Sequence, residues 1–224
     1  YYKYYNTHKR EMQEFKVYVA TSALIFAFLN IGCYNITSDM NHIKPTRYAD
    51  DDFESIGTLL KLRAPALVLG LLLGIGISFV VSNFEAVIAR NVQVAFFMPF
   101  VVYIADAIGT QTEAIYSRDL KSGKAKFKNY LHKELILGLI FGLIFGCVVG
   151  GFVSLWLGND RLAATVALAS FFAVSTAPIV ALIITQTLQS LHEDPAAGSG
   201  PIATVLQDLI SIIIYGVVAS IMIL

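Results

Sequence analysis

The sequence predicts an all-α membrane protein that crosses the bilayer five times, on three observations. Its 224 residues are 56% hydrophobic, with mean hydropathy +0.67 and only 14% charged, whereas soluble domains carry about 25% charged residues. Five apolar stretches are each long enough to cross ~30 Å of hydrocarbon at ~1.5 Å per residue. A lysine-rich connection separates the second stretch from the third, where the positive-inside rule places cytoplasm.

Residues 1–61 precede the first span and are expected to form a short cytosolic region. Within them, Val17–Ile36 is apolar enough to weigh as a sixth span. It holds Thr21, Ser22, Asn30 and Asn35, and spanning would carry the tail bearing Lys3, Lys9, Arg10 and Lys16 outside, against the charge rule. Its runs FKVYVA and ALIFAFLNI read instead as short strands, being rich in aromatic and β-branched residues. The chain begins at Tyr1 without Met, as a trimmed piece of a longer protein would, and its start shows no signal-peptide pattern.

The acidic run Asp50, Asp51, Asp52 and Glu54 leads into the amphipathic stretch Ile56–Arg63. Acids at a helix start suit its dipole. As clustered hard oxygens they are also candidate regulatory ligands for a hydrated divalent ion.

The first span, Leu62–Ser82, repeats Gly70 and Gly74 at the spacing of a helix-packing seam. Glu85 follows it, either recruiting cations at the extracellular mouth or pairing with Arg90. The second span, Val92–Tyr116, contains Pro99, which is expected to kink it, and turns polar toward its end. Asp106, Thr110, Glu113 and Ser117 step by four, three and four, one face of a helix, with Gln111 and Thr112 beside them.

The third span, Leu135–Leu157, carries Gly138, Gly142, Gly146 and Gly150, a face on which another backbone can lie. The connection before it holds Arg118, Lys121, Lys124, Lys126, Lys128 and Lys133 against Asp119 and Glu134. Counting outward from that cytoplasmic loop, Gly158–Arg161 is extracellular and His192–Gly200 cytoplasmic. The N-terminus is then inside and the C-terminus outside a cell membrane. The fourth span, Leu162–Leu188, contains Pro178, expected to kink it in turn.

In the fifth span, Pro201–Leu224, Asp208 stands in the middle of a polar stripe with Gly200, Thr204, Ser211 and Tyr215. A charge at membrane depth costs at least ~2.5–3.5 kcal/mol, so this face belongs on water, on a partner charge or on an ion. The second and fifth helices thus each offer an acidic stripe, with no lysine or arginine at that depth. A bound divalent cation or a water-filled path resolves the uncompensated charge. A protonated acid in a helix-packing hydrogen bond is the plainer alternative for Asp208, and interfacial solvation near Arg118 for Glu113.

Net charge is zero and no basic tract interleaves with aromatics, so nucleic acid is not indicated. Cys33 and Cys147 lie far apart, and His8, His42, His132 and His192 are scattered without ligand spacing.

The stretches AFFMPFVVYIADAIGTQTEAIYSRDL (Ala95–Leu120), HKELILGLIFGLIFG (His132–Gly146) and DPAAGSGPIATVLQDLISIIIYG (Asp194–Gly216) resemble the membrane domain of the MgtE magnesium transporters. The specific elements are Ser199-Gly200-Pro201 with Thr204 and Asp208, and the Gly109-Thr110-Gln111 turn. The resemblance covers the chain from about Leu62 to its end. It implies a homodimer of five-span subunits with an axial ion pore lined by the second and fifth helices. It also implies that Asp208 of each subunit holds hydrated Mg²⁺, with Thr204 and Gly200 toward the cytoplasm. Pore-lining candidates are Asp106, Thr110, Gln111, Glu113, Ser211 and Tyr215.

Two departures stand out. Gly200 replaces an Asn found in some members, and Ala105-Asp106-Ala107 replaces a Gly-Gly-Asn run, adding an acid that bears on ion choice. The family's acidic sensor with paired CBS domains does not fit in the sixty or so residues ahead of the first span, although FKVYVATSALIFAFLNIG faintly resembles part of one CBS module. The sequence therefore predicts divalent-cation transport, Mg²⁺ first, and no enzyme. The alternatives are a proton- or ion-coupled secondary transporter and, remotely, an intramembrane aspartyl protease using Asp106 and Asp208 as a dyad.

Overall fold

A computed structural model of the chain describes residues 52–190 and 200–224. Val17–Ile36, Asp50, Asp51 and the 191–199 part of the last connection lie outside the described residues. Those described are helical: α1 (Ile56–Ser82), α2 (Glu85–Arg90), α3 (Gln93–Lys121), α4 (Phe127–Leu157), α5 (Asp160–Ser190) and α6 (Gly200–Ile223). Five of them, all but α2, are long and apolar enough to cross a membrane, matching the five expected spans. All belong to one unit, Thr46–Leu224.

The helices outrun the apolar stretches that announced them. Ser55 N-caps α1, its Oγ accepting from the Thr58 N–H at 3.3 Å, so α1 begins ahead of Leu62 and passes without a break across the 61/62 boundary expected from sequence. Asp52 and Glu54 lie just before that cap. The α4–α5 connection is a turn of two residues. Gly158 takes the left-handed conformation at φ 59°, its N–H bonding Ser154 O at 2.9 Å. Asn159 Oδ1 then accepts from Leu162 N at 3.1 Å to start α5. Pro65, Pro99 and Pro178 all lie inside helices that continue through them.

α5 is the centre of the bundle, packing on α4, α3 and α6. Its Leu162, Val166, Ala169, Val174, Ala181 and Leu182 are fully buried. The four α4 glycines lie directly on it. A β-carbon on Gly138 would stand 2.7 Å from the Ser175 carbonyl oxygen, one on Gly146 2.8 Å from that of Ala167, and one on Gly150 2.8 Å from the Ala167 side chain. Real side chains do not approach so closely, so only glycine permits this backbone-to-backbone seam. In α1, by contrast, Gly70 is buried but Gly74 has nothing within 4 Å of its β-position. The seam expected there is therefore half formed.

α1 packs against α6 and leaves Leu67, Leu71, Leu72, Ile75 and Phe79 exposed, as α4 leaves Leu139, Leu143 and Val148. Apolar side chains on the rim of a spanning bundle suit lipid or a neighbouring chain.

One end of the bundle is tied to α6. Arg90 Nη1 donates to Leu224 O at 3.0 Å and Arg161 Nε to Met222 O at 2.5 Å. Both guanidiniums thus satisfy carbonyls at the C-terminal end of α6, Met222 within its last turn and Leu224 just past it, where cations also suit the dipole. Phe84, ahead of α2, lays its ring over Gly216, where any β-carbon would overlap it. α2, the α4–α5 turn and the chain's last residues therefore share one end, as strict alternation of five spans requires.

Candidate functional site

α3 and α6 pack side by side, and their polar residues meet at the joint. At one end Tyr215 is fully buried, and its hydroxyl donates to Val94 O at 2.5 Å, bolting α6 to the start of α3. Further along, Gln207 folds onto the α3 backbone at Gly109, so that a β-carbon at 109 would overlap its amide. The two contacts run in opposite order along the two helices, which are therefore antiparallel here.

Asp106 and Asp208 lie at this joint, half-buried, close enough that each carboxylate feels the other's charge. Asp106 also accepts a hydrogen bond from the Thr110 hydroxyl, and its Oδ1 is sealed from solvent without a partner in the protein. Gln207 is 2% exposed, and neither Oε1 nor Nε2 finds a hydrogen-bond partner in the protein. An unsatisfied buried polar group ordinarily costs about 1–3 kcal/mol, so three such atoms at one helix joint mark it as a place built for something other than packing.

Among the described residues, the spanning stretches offer no basic side chain to neutralise these acids. Residues 64–82, 93–117, 135–157, 162–190 and 200–224 contain no lysine or arginine. Two carboxylates in each other's field, without a basic partner, favour a cation between them. Among the described residues no group of three or more His, Cys, Asp and Glu comes together to hold a metal. Two acids with neutral oxygens nearby suit an ion that keeps most of its water.

The predicted stripes divide on this frame. On α6, Gly200, Thr204 and Asp208 are half-buried, whereas Ser211 and Tyr215 turn into the packed interior. On α3, Glu113 is buried, while Thr110 and Gln111 stand exposed on the bundle's outer surface. Thr112 faces α4, its hydroxyl donating to Glu134 Oε2 at 2.9 Å, and Tyr116 bonds Gln186 of α5. Glu85 is exposed in the first turn of α2, and Arg90 is engaged with Leu224 O. Asp52 is exposed and Glu54 half-buried.

Periodicity does not single out Gln207. The polar stripe centres on Asp208, and its immediate neighbour falls about 100° round the helix. A glutamine inside an apolar span was itself the available signal, as an intramembrane polar residue is functional by default.

A cavity of about 410 Å³ at the α3–α4 connection includes Lys124, Lys126, Lys133 and Tyr130 in its wall, but neither Asp106 nor Asp208. Its ammonium groups are wrong for a cation, so volume alone does not locate the chemistry.

Comparison with known proteins points the same way. The MgtE family model, described as a divalent cation transporter, matches residues 98–218, more than half of the chain. The chain is 31% identical over 196 residues to the magnesium transporter MgtE of Bacillus subtilis, covering 78% of this chain and 42% of that protein. It is 30% identical over 161 residues to the magnesium transporter MgtE of Enterococcus faecalis, covering 70% and 36%. With the Thermus thermophilus magnesium transporter MgtE the figures are 27% over 159 residues, 70% and 35%. The chain thus spans less than half the length of these curated relatives.

Proposed function

Because this chain belongs to the MgtE family of divalent cation transporters, we infer that it carries a hydrated divalent cation, Mg²⁺ foremost, across a cell membrane along α3 and α6. The family transports ions rather than transforming them, so the aspartyl-protease reading drops out. The observation that carries the inference is the Asp106–Asp208 pair, two acids on adjacent spanning helices in each other's field with no basic residue at that depth. Mg²⁺ dehydrates reluctantly, and a site of few carboxylates can grip its water shell without stripping it.

The working unit is a homodimer with the path on its axis. Thr110 and Gln111 stand exposed within a spanning helix; lipid is a poor neighbour for such groups, and a second copy covers them. Asp208 from each chain then faces the axis, with Thr204 and Gly200 on the cytoplasmic side. Residues 62–224 form the transmembrane domain and residues 1–61 a cytosolic region ahead of it. The lysine-rich α3–α4 connection lies in the cytoplasm, which puts the α6 end capped by Arg90 and Arg161 outside, with Glu85 near the outer mouth.

The acid pair also favours a second reading, exchange of a cation for protons, since two carboxylates in one low-dielectric joint readily share a proton. Reconstitution into liposomes tests both. Mg²⁺ uptake that needs no pH gradient supports the first reading, and uptake that requires one supports the second. Absence of divalent flux under both conditions ends the assignment.

A further inference from the structure

The cavity of about 410 Å³ at the α3–α4 connection plays no part in the inferred ion path. Its wall is built on the first turns of α4. Lys126, Asn129, Tyr130, Lys133 and Leu137 step by three, one, three and four, which is one face of the helix, and Lys124 joins them from the connection. The acids beside it are already engaged. Asp119 accepts from the Tyr130 hydroxyl and from Arg118 Nε at 3.0 Å, and Glu134 accepts from the Thr112 hydroxyl at 2.9 Å. Among the described residues neither Lys126 nor Lys133 has a salt-bridge partner. α4 also starts at Lys126 without a side-chain cap, so the positive end of its dipole adds to the same wall. The cavity is built for negative charge.

The same face of α4 runs on into the membrane. After Leu137, Ile140, Ile144 and Val148 follow at steps of three, four and four, all of them exposed and turned away from the glycine seam. From Leu137 to Val148 this track is about 16 Å long at ~1.5 Å per residue. That is about half of the ~30 Å hydrocarbon core, the depth of one leaflet. A cationic cavity thus opens onto an apolar track one leaflet deep. A soluble anion would use only the first, and an uncharged lipid only the second.

We propose that this face of α4 binds one anionic phospholipid per chain, its phosphate held by Lys126 and Lys133 and an acyl chain laid along Leu137–Val148. Lysine suits the phosphate as a point charge, and basic pockets at the cytoplasmic ends of spanning helices are a recurring means of holding anionic headgroups. Lys124 brings the α3–α4 connection onto the same headgroup, so the seated lipid ties that connection to α4. The site stands apart from the ion path, and its test needs no flux.

Native mass spectrometry of the full chain in detergent, titrated with phosphatidylglycerol or with phosphatidylcholine of the same acyl chains, is that test. Wild type is expected to bind one phosphatidylglycerol per chain at least tenfold more tightly than phosphatidylcholine. Lys126→Gln together with Lys133→Gln should erase the preference, and either alone should reduce it at least threefold. Lys128→Gln, in the same stretch but outside the cavity wall, should leave it within twofold, which separates a built site from diffuse attraction to a basic loop. Elution volume and melting temperature like those of wild type establish folding, and the single variants carry the test if the double variant does not fold. Equal binding of the two lipids, or equal losses in Lys128→Gln and Lys133→Gln, overturns the proposal. Soluble glycerol phosphate binding as tightly as the lipid overturns it in favour of a free phosphate. A changed oligomeric state in the double variant with the lipid preference intact overturns it in favour of a second copy of the chain on this face.

Discussion

The Gln207 amide fills the notch that Gly109 leaves in α3, so the helix carrying Asp208 touches the helix carrying Asp106 through a polar group resting on bare backbone. The contact fixes how α6 is rotated against α3.

Gly109→Ala should therefore destabilise the protein by about 1–3 kcal/mol, the usual scale of overpacking in a filled interior. Combining it with Gln207→Ala, which vacates the space, should recover part of that loss. A thermal-melting double-mutant cycle in detergent checks this, with an expected coupling of about 0.5–3 kcal/mol. Strict additivity would show that the two residues do not share the notch.

Asp208→Ala should nearly abolish Mg²⁺ uptake in proteoliposomes while leaving the protein folded, because it removes the carboxylate at the middle of the α6 stripe. Size-exclusion profile and flux are to be read on the same preparation. Uptake at the wild-type rate would mean that the ion does not pass this residue.

Asp106→Ala should alter which ion is preferred more than how much protein is made. The added acid changes the number of charged oxygens offered to the ion, and ligand number is one of the things that sets the choice among divalent cations. Competition of Mn²⁺ and Co²⁺ against Mg²⁺ uptake is the measurement, and an unchanged order would make Asp106 a structural residue.

Along α4, Gly142→Val should be strongly destabilising, since a β-carbon there stands 2.7 Å from the Phe171 carbonyl oxygen. A loss above about 2 kcal/mol is expected because the helix backbones would have to part. Gly74→Ala, at a position with nothing within 4 Å, should be neutral or mildly stabilising through helix propensity. Melting temperatures of the two variants in one detergent separate the real seam from the apparent one.

How far the sequence discloses this depends on the length scale of each signal. Five spans are legible because some twenty apolar residues in a row leave few other readings. α2 is not, since Glu85–Arg90 is a single short turn of helix whose residues pass equally well for a connection. α4 starts at Phe127 rather than Leu135 because hydropathy sees only where a helix becomes apolar, and Lys128–Glu134 is polar but helix-competent.

Periodicity likewise places residues on a face without saying what covers it. The α4 glycines were recognisable as a seam, but not that α5 lies on them. Tyr215 shares the stripe with Asp208, yet it reaches Val94 O inside the protomer. Gln207 was obscured by its more conspicuous neighbour.

The glycine seam also limits how the protein can move. With α5 carbonyls lodged against successive turns of α4, a slide of even one residue would drive oxygen or ring atoms into the neighbouring backbone, so the pair behaves as a rigid post. In the proposed transport, rearrangement is thereby left to α1, α3 and α6, and the acids ride on two of those three.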